Sequence, residues 1–397
     1  MGSALARCVG DTARFLADNW SRSPLYQPAR DAAGFTDLLS LDDVDAMVAS
    51  FPRLPSFRLV RDGRPLDPSR YTRSARLGGR SVSDVGDAGR IYEEFRLGAT
   101  IVLQGLHRTW LPLARFCRDL ELELTHPVQA NAYVTPPAAR GLAVHYDTHD
   151  VLVLQLAGTK AWTVHEPVLE LPLASQRWSS SRGSPEEALL EVELRPGDVL
   201  YIPRGFLHAA RAQEGVSAHL TIGVSAYTWN DVAAEVVKGV EGELDFRRPL
   251  PPGFAEDEDA LASEVAAHVS RLRDWLEKVD TAEVARRLVR RFWSGRSPIL
   301  AGHLDQLLEA QRVDDRSLVR RRHGAVCFLE VVDSHLRVLL GDRQLEMPAE
   351  LEAVVRRLSD GPPVTVGDLA DQLDAPSRRV LVNRLVREGL LEVFGVE

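Results

Sequence analysis

His145, Asp147 and His208 are the residues whose types and spacing could do chemistry. His145 and Asp147 stand two apart on a segment that reads as extended, and in a strand residues i and i+2 point to one face. An imidazole and a carboxylate therefore project side by side. A second imidazole, His208, closes the stretch Gly197-Asp198-Val199-Leu200-Tyr201-Ile202-Pro203-Arg204-Gly205-Phe206-Leu207-His208. Two histidines and one carboxylate on one face of a metal leave the opposite positions open, the facial triad of non-haem Fe(II) sites. A structural zinc site would be closed by four ligands, usually with cysteine, and no cysteine lies near these motifs. A His-X-Asp pair alone is common by chance, and such a pair is as readily a surface contact. The Gly-Asp-X-X-X-X-Pro-X-Gly-X-X-His segment makes the metal reading specific. Lys160, at the start of the next strand, can anchor an anionic ligand as a point charge. On sequence physics alone an exposed lysine at a hairpin is the favoured reading.

These residues need a scaffold of short strands. From about 122 to 228 strands follow one another with Gly/Pro turns and no long helix between them, at Val128–Val134, Val151–Leu156, Lys160–Val164, Val192–Arg195, Val199–Ile202 and His219–Ser225. That density predicts an antiparallel sandwich or jelly roll. His208 is far from His145 in the chain, so the fold must close the triad. A serine-rich stretch at 174–187 reads as a long mobile loop. Upstream, residues 11–50 read as helices, with Phe15 and Trp20 as a core-facing aromatic pair. Residues 57–75 read as a hairpin about Asp62-Gly63, and 88–98 and 109–121 as helices flanking a strand at 99–103.

Arg248-Pro249-Leu250-Pro251-Pro252-Gly253 is a Pro/Gly break. Beyond it, 256–311 reads as mostly helical, with an apolar stripe through Leu261, Val265, Val269, Leu272 and Leu276. Residues 325–345 read as strands. The tail from 347 reads as helix, turn, helix and a final strand, the order of a winged helix-turn-helix, with a helix opening behind Thr365.

The chain has 397 residues, enough for two or three domains. A formal net charge of −9 argues against binding nucleic acid or an anionic membrane through the whole surface. In the tail, Arg378, Arg379, Arg384 and Arg387 could meet phosphates, but Asp368, Asp371, Asp374, Glu388 and Glu392 balance them. Three dispersed cysteines suggest reduced thiols. No apolar run approaches a membrane span, and the N-terminus has no signal-peptide core. The expected location is the cytoplasm. The remaining histidines (His107, His126, His149, His165 and His219) read as structural, surface or supporting residues.

Residues 12–228 resemble the JmjC-type ribosomal oxygenases, cupin-fold 2-oxoglutarate- and Fe(II)-dependent protein hydroxylases. The resemblance rests on Asn131-Ala132-Tyr133-Val134-Thr135-Pro136-Pro137, His145-Tyr146-Asp147-Thr148-His149-Asp150, Gly158-Thr159-Lys160-Ala161-Trp162, the Gly197 to His208 segment and His219-Leu220-Thr221-Ile222-Gly223. It implies an α+β chain with a double-stranded β-helix (jelly-roll, cupin) core at 1–230, a helical dimerisation region at 231–312 and a winged-helix domain at 313–397. It implies that His145, Asp147 and His208 ligate Fe(II), and that Lys160 binds the distal carboxylate of 2-oxoglutarate. Asn131, Tyr133 and Thr221 would line the cosubstrate pocket, with O2 as the second cosubstrate. The implied partners are a protein substrate, a ribosomal protein hydroxylated on arginine or histidine, and a second copy of the chain. The same chemistry on a small peptide or secondary metabolite is one alternative. A cupin/winged-helix DNA-binding regulator and an inactive cupin scaffold are alternatives of another class.

Overall fold

A computed structural model of the chain describes residues 3–30, 34–50, 52–139 and 143–396. The parts of the sequence reading that fall on residues 1–2 and 31–33 lie outside this range. The chain divides into two units, Met1–Ala226 and Tyr227–Glu397.

In the first unit the strands are, in chain order, β1 (Leu25–Gln27), β2 (Phe57–Arg61), β3 (Arg64–Pro65), β4 (Thr72–Leu77), β5 (Arg80–Gly86), β6 (Thr100–Leu103), β7 (Val128–Thr135), β8 (Asp150–Ala157), β9 (Lys160–Pro167), β10 (Ala188–Leu194), β11 (Val199–Ile202), β12 (Phe206–Ala212) and β13 (Ser217–Val224). Eight of them form one antiparallel sheet in the order β1-β11-β8-β13-β7-β6-β2-β3. A smaller sheet, β10-β9-β12, faces it. This is the expected antiparallel jelly roll.

Period-two alternation decides which side chains enter the barrel. On β8, Leu152 and Leu154 join the core under the N-terminal helices, while Val151 and Val153 pack with Trp162, Val164, Leu200 and Phe206 between the two sheets. With both faces covered, β8 is apolar along almost its whole length. On β7, Ala130, Ala132 and Val134 join the helix-side core. The alternate positions are therefore free to be polar and to face the interior.

The helices behind the large sheet start at side-chain caps. Asp11 accepts from the Arg14 N–H, and Ser40 and Asp43 form a reciprocal capping box. Phe15 is buried against Tyr201 of β11, at 4.8 Å between ring centroids. Trp20 stacks on Tyr201 and on His126. The aromatic pair is thus core, as expected. The hairpin about Asp62-Gly63 ends at Pro65, and β4 pairs with β5 in a second hairpin that the sequence reading merged with the first.

The second unit opens with helices Trp229–Lys238, Glu258–Leu276, Thr281–Ser294 and His303–Glu309. A three-stranded meander follows (Phe328–Val332, His335–Leu339, Gln344–Pro348), then helices Glu352–Asp360 and Ala375–Arg387. Their apolar faces share one core centred on Leu336, Val355, Leu369, Val382 and Leu385. Two expectations need correction. Thr365 caps only a short 3-10 turn at Val366–Leu369, because Gly367 and the following Asp371 and Asp374 offer little helix propensity. The final strand Leu391–Val396 does not stand alone but pairs with Ser317–Arg321. No helix among the described residues is long and apolar enough to cross a membrane.

Candidate metal and cosubstrate site

The backbone brings the two histidines together before any side chain acts. His145 and His208 form an isolated antiparallel bridge: the His208 N–H donates to the His145 carbonyl at 2.8 Å, and the His145 N–H to the His208 carbonyl at 3.2 Å. The Gly205 N–H donates to the Asp147 carbonyl at 3.1 Å. Gly205 has φ of +92°, and a Cβ there would meet the Leu169 carbonyl oxygen at 2.4 Å, so only glycine fits the turn.

The side chains then converge. One ligand atom from each of His145, Asp147 and His208 lies within 4.8 Å of the others. Each imidazole is oriented by a backbone carbonyl on its far nitrogen. Nδ1 of His145 faces the Ala143 carbonyl at 2.7 Å, and Nδ1 of His208 faces the Phe206 carbonyl at 3.0 Å. With the proton on Nδ1, each Nε2 presents its lone pair to the centre. Nε2 of His208 is 3.6 Å from Oδ2 of Asp147. Burial, with the neighbouring His145, pulls the His208 pKa down to about 4, so it stays neutral. Burial opposes the charge on Asp147, yet its carboxyl is held below its ordinary pKa, because a proton entering the cluster is taken by the imidazoles first. Two neutral imidazole nitrogens and one carboxylate, with no thiol, suit a divalent iron with open positions.

These three residues line a cavity of about 280 Å³ between the two sheets. Lys160 lines it too. It is 2% exposed, so the exposed-hairpin reading is wrong. Its ammonium donates to Thr135 Oγ1 at 3.2 Å, lies 3.5 Å from Nδ1 of His219, and makes no ion pair among the described residues. Burial lowers its pKa to about 7. A buried lysine without a counter-charge calls for an anion. The cavity therefore offers a metal cluster at one place and an anion anchor at another.

Tyr133 and Thr221 line the same cavity, from β7 and β13. Tyr133 stacks on His219 at 5.0 Å. Asn131 is on β7 but not among the lining residues, and its Oδ1 accepts from the Gly105 N–H at 2.9 Å. His149 sits against Gly223, where a Cβ would reach its ring at 2.5 Å. His107 accepts from the Ala130 N–H, and His165 meets the Glu186 carbonyl.

His219 departs from the sequence reading. It is buried and lines the cavity, with a pKa pushed well below its ordinary value by burial and by Lys160. The alternation of β13, with Leu220 and Ile222 on the core side, puts His219 and Thr221 on one inner face. Arg58 and Thr100 also line the cavity and were missed. In Phe57-Arg58-Leu59-Val60, Arg58 stands opposite the core-facing Phe57 and Leu59, a signal hidden by reading the segment only as a hairpin. The serine-rich loop is anchored at its start: Tyr146 donates to the Gln176 carbonyl, and its ring meets Trp178 at 5.3 Å.

A family model described as the JmjC domain matches residues 107–232. Human ribosomal oxygenase 1 is 31% identical over 251 residues, 60% of this chain and 37% of that protein. The bifunctional lysine-specific demethylase and histidyl-hydroxylase NO66 of Drosophila persimilis is 29% identical over 261 residues, 60% of this chain and 34% of that protein. The chain thus spans well under half the length of these curated relatives. The crystal structure of the Escherichia coli ribosomal oxygenase YcfD matches with a TM-score of 0.56 at 18% identity, covering 97% of this chain and 98% of that one. A structure of the same protein in complex with cobalt and 2-oxoglutarate matches with a TM-score of 0.55 at 19% identity over the same shares.

Proposed function

We propose that the chain is a member of the JmjC-type ribosomal oxygenases, a 2-oxoglutarate- and Fe(II)-dependent oxygenase that hydroxylates an amino-acid side chain of a protein, first among candidates a ribosomal protein. The observation that carries this reading is one cavity holding both an open His/Asp/His cluster and an unpaired buried ammonium. The names of the human relative and of the YcfD complex with cobalt and 2-oxoglutarate point the same way.

In this reading His145, Asp147 and His208 hold Fe(II), and Lys160 holds the distal carboxylate of 2-oxoglutarate. Tyr133 and Thr221 contribute hydroxyls to the cosubstrate pocket, while Asn131 braces the Gly105 N–H outside it. When bound, the metal with 2-oxoglutarate and O2 supplies oxidative decarboxylation to succinate and CO2 and delivers one oxygen atom to a C–H bond. The chain fixes the ligands through the 145–208 bridge. Thr135 orients the ammonium. Val151, Val153 and Trp162 keep the cavity wall apolar and limit water.

We assign residues 1–230 to catalysis, 231–312 to dimerisation and 313–397 to a winged-helix-like module for packing or substrate docking. Val265 and Val269 on helix Glu258–Leu276 are 50% and 59% exposed, which suits a helical face that meets a second copy. The protein would work in the cytoplasm. The test is anaerobic loading with Fe(II) and 2-oxoglutarate, then O2 with a panel of ribosomal proteins. Succinate release with a one-oxygen mass gain on one protein is expected. No succinate from well-folded protein, even uncoupled, would sink the reading.

A further inference from the structure

The second unit keeps one sheet edge open beside an apolar groove. Its meander ends at the strand Gln344–Pro348, and no further strand pairs with that strand's outer edge among the described residues. The Leu340 N–H donates to the Arg343 carbonyl at 2.9 Å, and the Ala349 N–H to the Ser334 carbonyl at 3.1 Å. Hydrogen-bonded pairs alternate along an antiparallel ladder, so Leu345 and Met347 bond inward, to Val338 and Leu336. Gln344 and Glu346 turn their main-chain N–H and C=O groups outward. A bare edge of this kind is a template for another strand.

The charges along the sheet decide what that strand carries. Glu330 pairs across the ladder with Arg337, and Arg337 with Glu346. The side chains follow: Arg290 meets Glu330 at 2.7 Å, Glu330 meets Arg337 at 3.3 Å, and Arg337 lies 3.9 Å from Glu346. Signs alternate up to the edge and stop at a carboxylate, so the next position calls for a cation. Alternation sends Leu345 and Met347 to the other face, against the unit's core. There Leu345, Leu351, Leu373, Val380 and Leu381 line a groove of about 680 Å³ between the strand and helix Ala375–Arg387. Val380 is 70% exposed. The described lining residues include two carboxylates, Glu346 and Glu350, and one cation, Arg384, which Glu388 holds at 2.9 Å. A second copy of the strand, paired about Glu346, would set carboxylate against carboxylate. A nucleic acid has no main-chain amides to extend the ladder, and its phosphates would meet the same carboxylates.

We propose that this edge is a docking site for an extended segment of a partner protein. The segment adds a fourth strand, sets a lysine or arginine opposite Glu346, and places the apolar residues on either side of it over the groove. Main-chain hydrogen bonds supply affinity, and the alternation of side chains supplies selectivity. The surface lies wholly in the second unit and uses nothing of the metal site, so it stands apart from the oxygenase reading.

The experiment uses the full chain without added metal and the fluorescein-labelled peptide Ser-Val-Ser-Val-Lys-Val-Ser-Val-Ser, whose order is the same in both directions. Fluorescence anisotropy should show saturable binding with Kd below about 1 mM. Replacing the central lysine by glutamate, or methylating its main-chain nitrogen, should weaken binding at least about tenfold. Glu346→Lys should invert the preference between the lysine and glutamate peptides, and Val380→Asp should weaken binding of the lysine peptide at least about tenfold. Both positions are exposed, and an unchanged Tm checks that each variant folds. No saturable binding of the lysine peptide, equal binding of the methylated peptide, or a lysine preference that survives Glu346→Lys overturns the proposal. So does a smaller sedimentation coefficient of the chain alone on Val380→Asp, which would give the groove to a second copy.

Discussion

Lys160 is held where its proton is easily lost, and that makes the cosubstrate site sensitive to pH. Burial brings its pKa from an ordinary 10.5 to about 7, while an anionic ligand needs the ammonium form. Affinity for 2-oxoglutarate should therefore fall as pH rises above about 7, with proton uptake on binding, as calorimetry in buffers of different ionisation enthalpy will read. Stability without ligand should move the other way. Between about pH 7 and 10.5 the unfolded chain binds more protons at this position than the native one, so stability rises with pH across that window. Lys160→Met should remove both trends in urea titrations and calorimetry. Lys160→Ala should weaken 2-oxoglutarate binding by at least about thirtyfold. Unchanged affinity would refute the assignment. His145→Ala should abolish stoichiometric Fe(II) binding in anaerobic titration while the fold persists. The triad was legible because its motifs set type and spacing together, and Lys160 only through the family resemblance, since spacing alone favoured an exposed hairpin lysine. His219 and Arg58 were not, because each is a single polar residue whose inward direction depends on which face of its strand is covered.

At the scale of elements, the loop from β11 to β12 is tied down by a buried charge pair. Asp150 is fully buried, accepts from Tyr201 Oη at 2.8 Å, and lies 3.7 Å from the guanidinium of Arg204. Burial raises its pKa, against the pull of Tyr201 and Arg204. Removing the arginine leaves a buried carboxylate without its cation. Arg204→Ala should cost about 3 kcal/mol of stability in chemical denaturation, and it should loosen the turn that carries Gly205. A loss under about 1 kcal/mol would mean that Tyr201 alone suffices. The strands of the barrel were legible from alternation and turn residues. The pairing of Ser317–Arg321 with Leu391–Val396 was not, since its arginine-rich sequence reads as solvent-facing and only a distant partner makes it a strand.

For the whole molecule, several arginines of the second unit are already paired within it. Arg378 meets Asp315 at 2.6 Å, Arg384 meets Glu388 at 2.9 Å, and Arg320 meets Glu392 at 2.7 Å. With these charges met internally and a net charge of −9, duplex DNA has little to gain from contact. No binding to a random duplex at low salt is expected in a mobility-shift assay. Salt-dependent micromolar binding would revive the regulator reading.

The hydrogen bonds that join residues 145 and 208 are made by main-chain atoms alone, so any residue but proline at either position can still make them. The fold is therefore expected to persist without iron, unlike domains that collapse when their metal is withdrawn. In an iron-starved cell such a protein would persist as a shaped but idle barrel, ready to resume when iron returns. Its lifetime would follow its own stability, not the metal available to it.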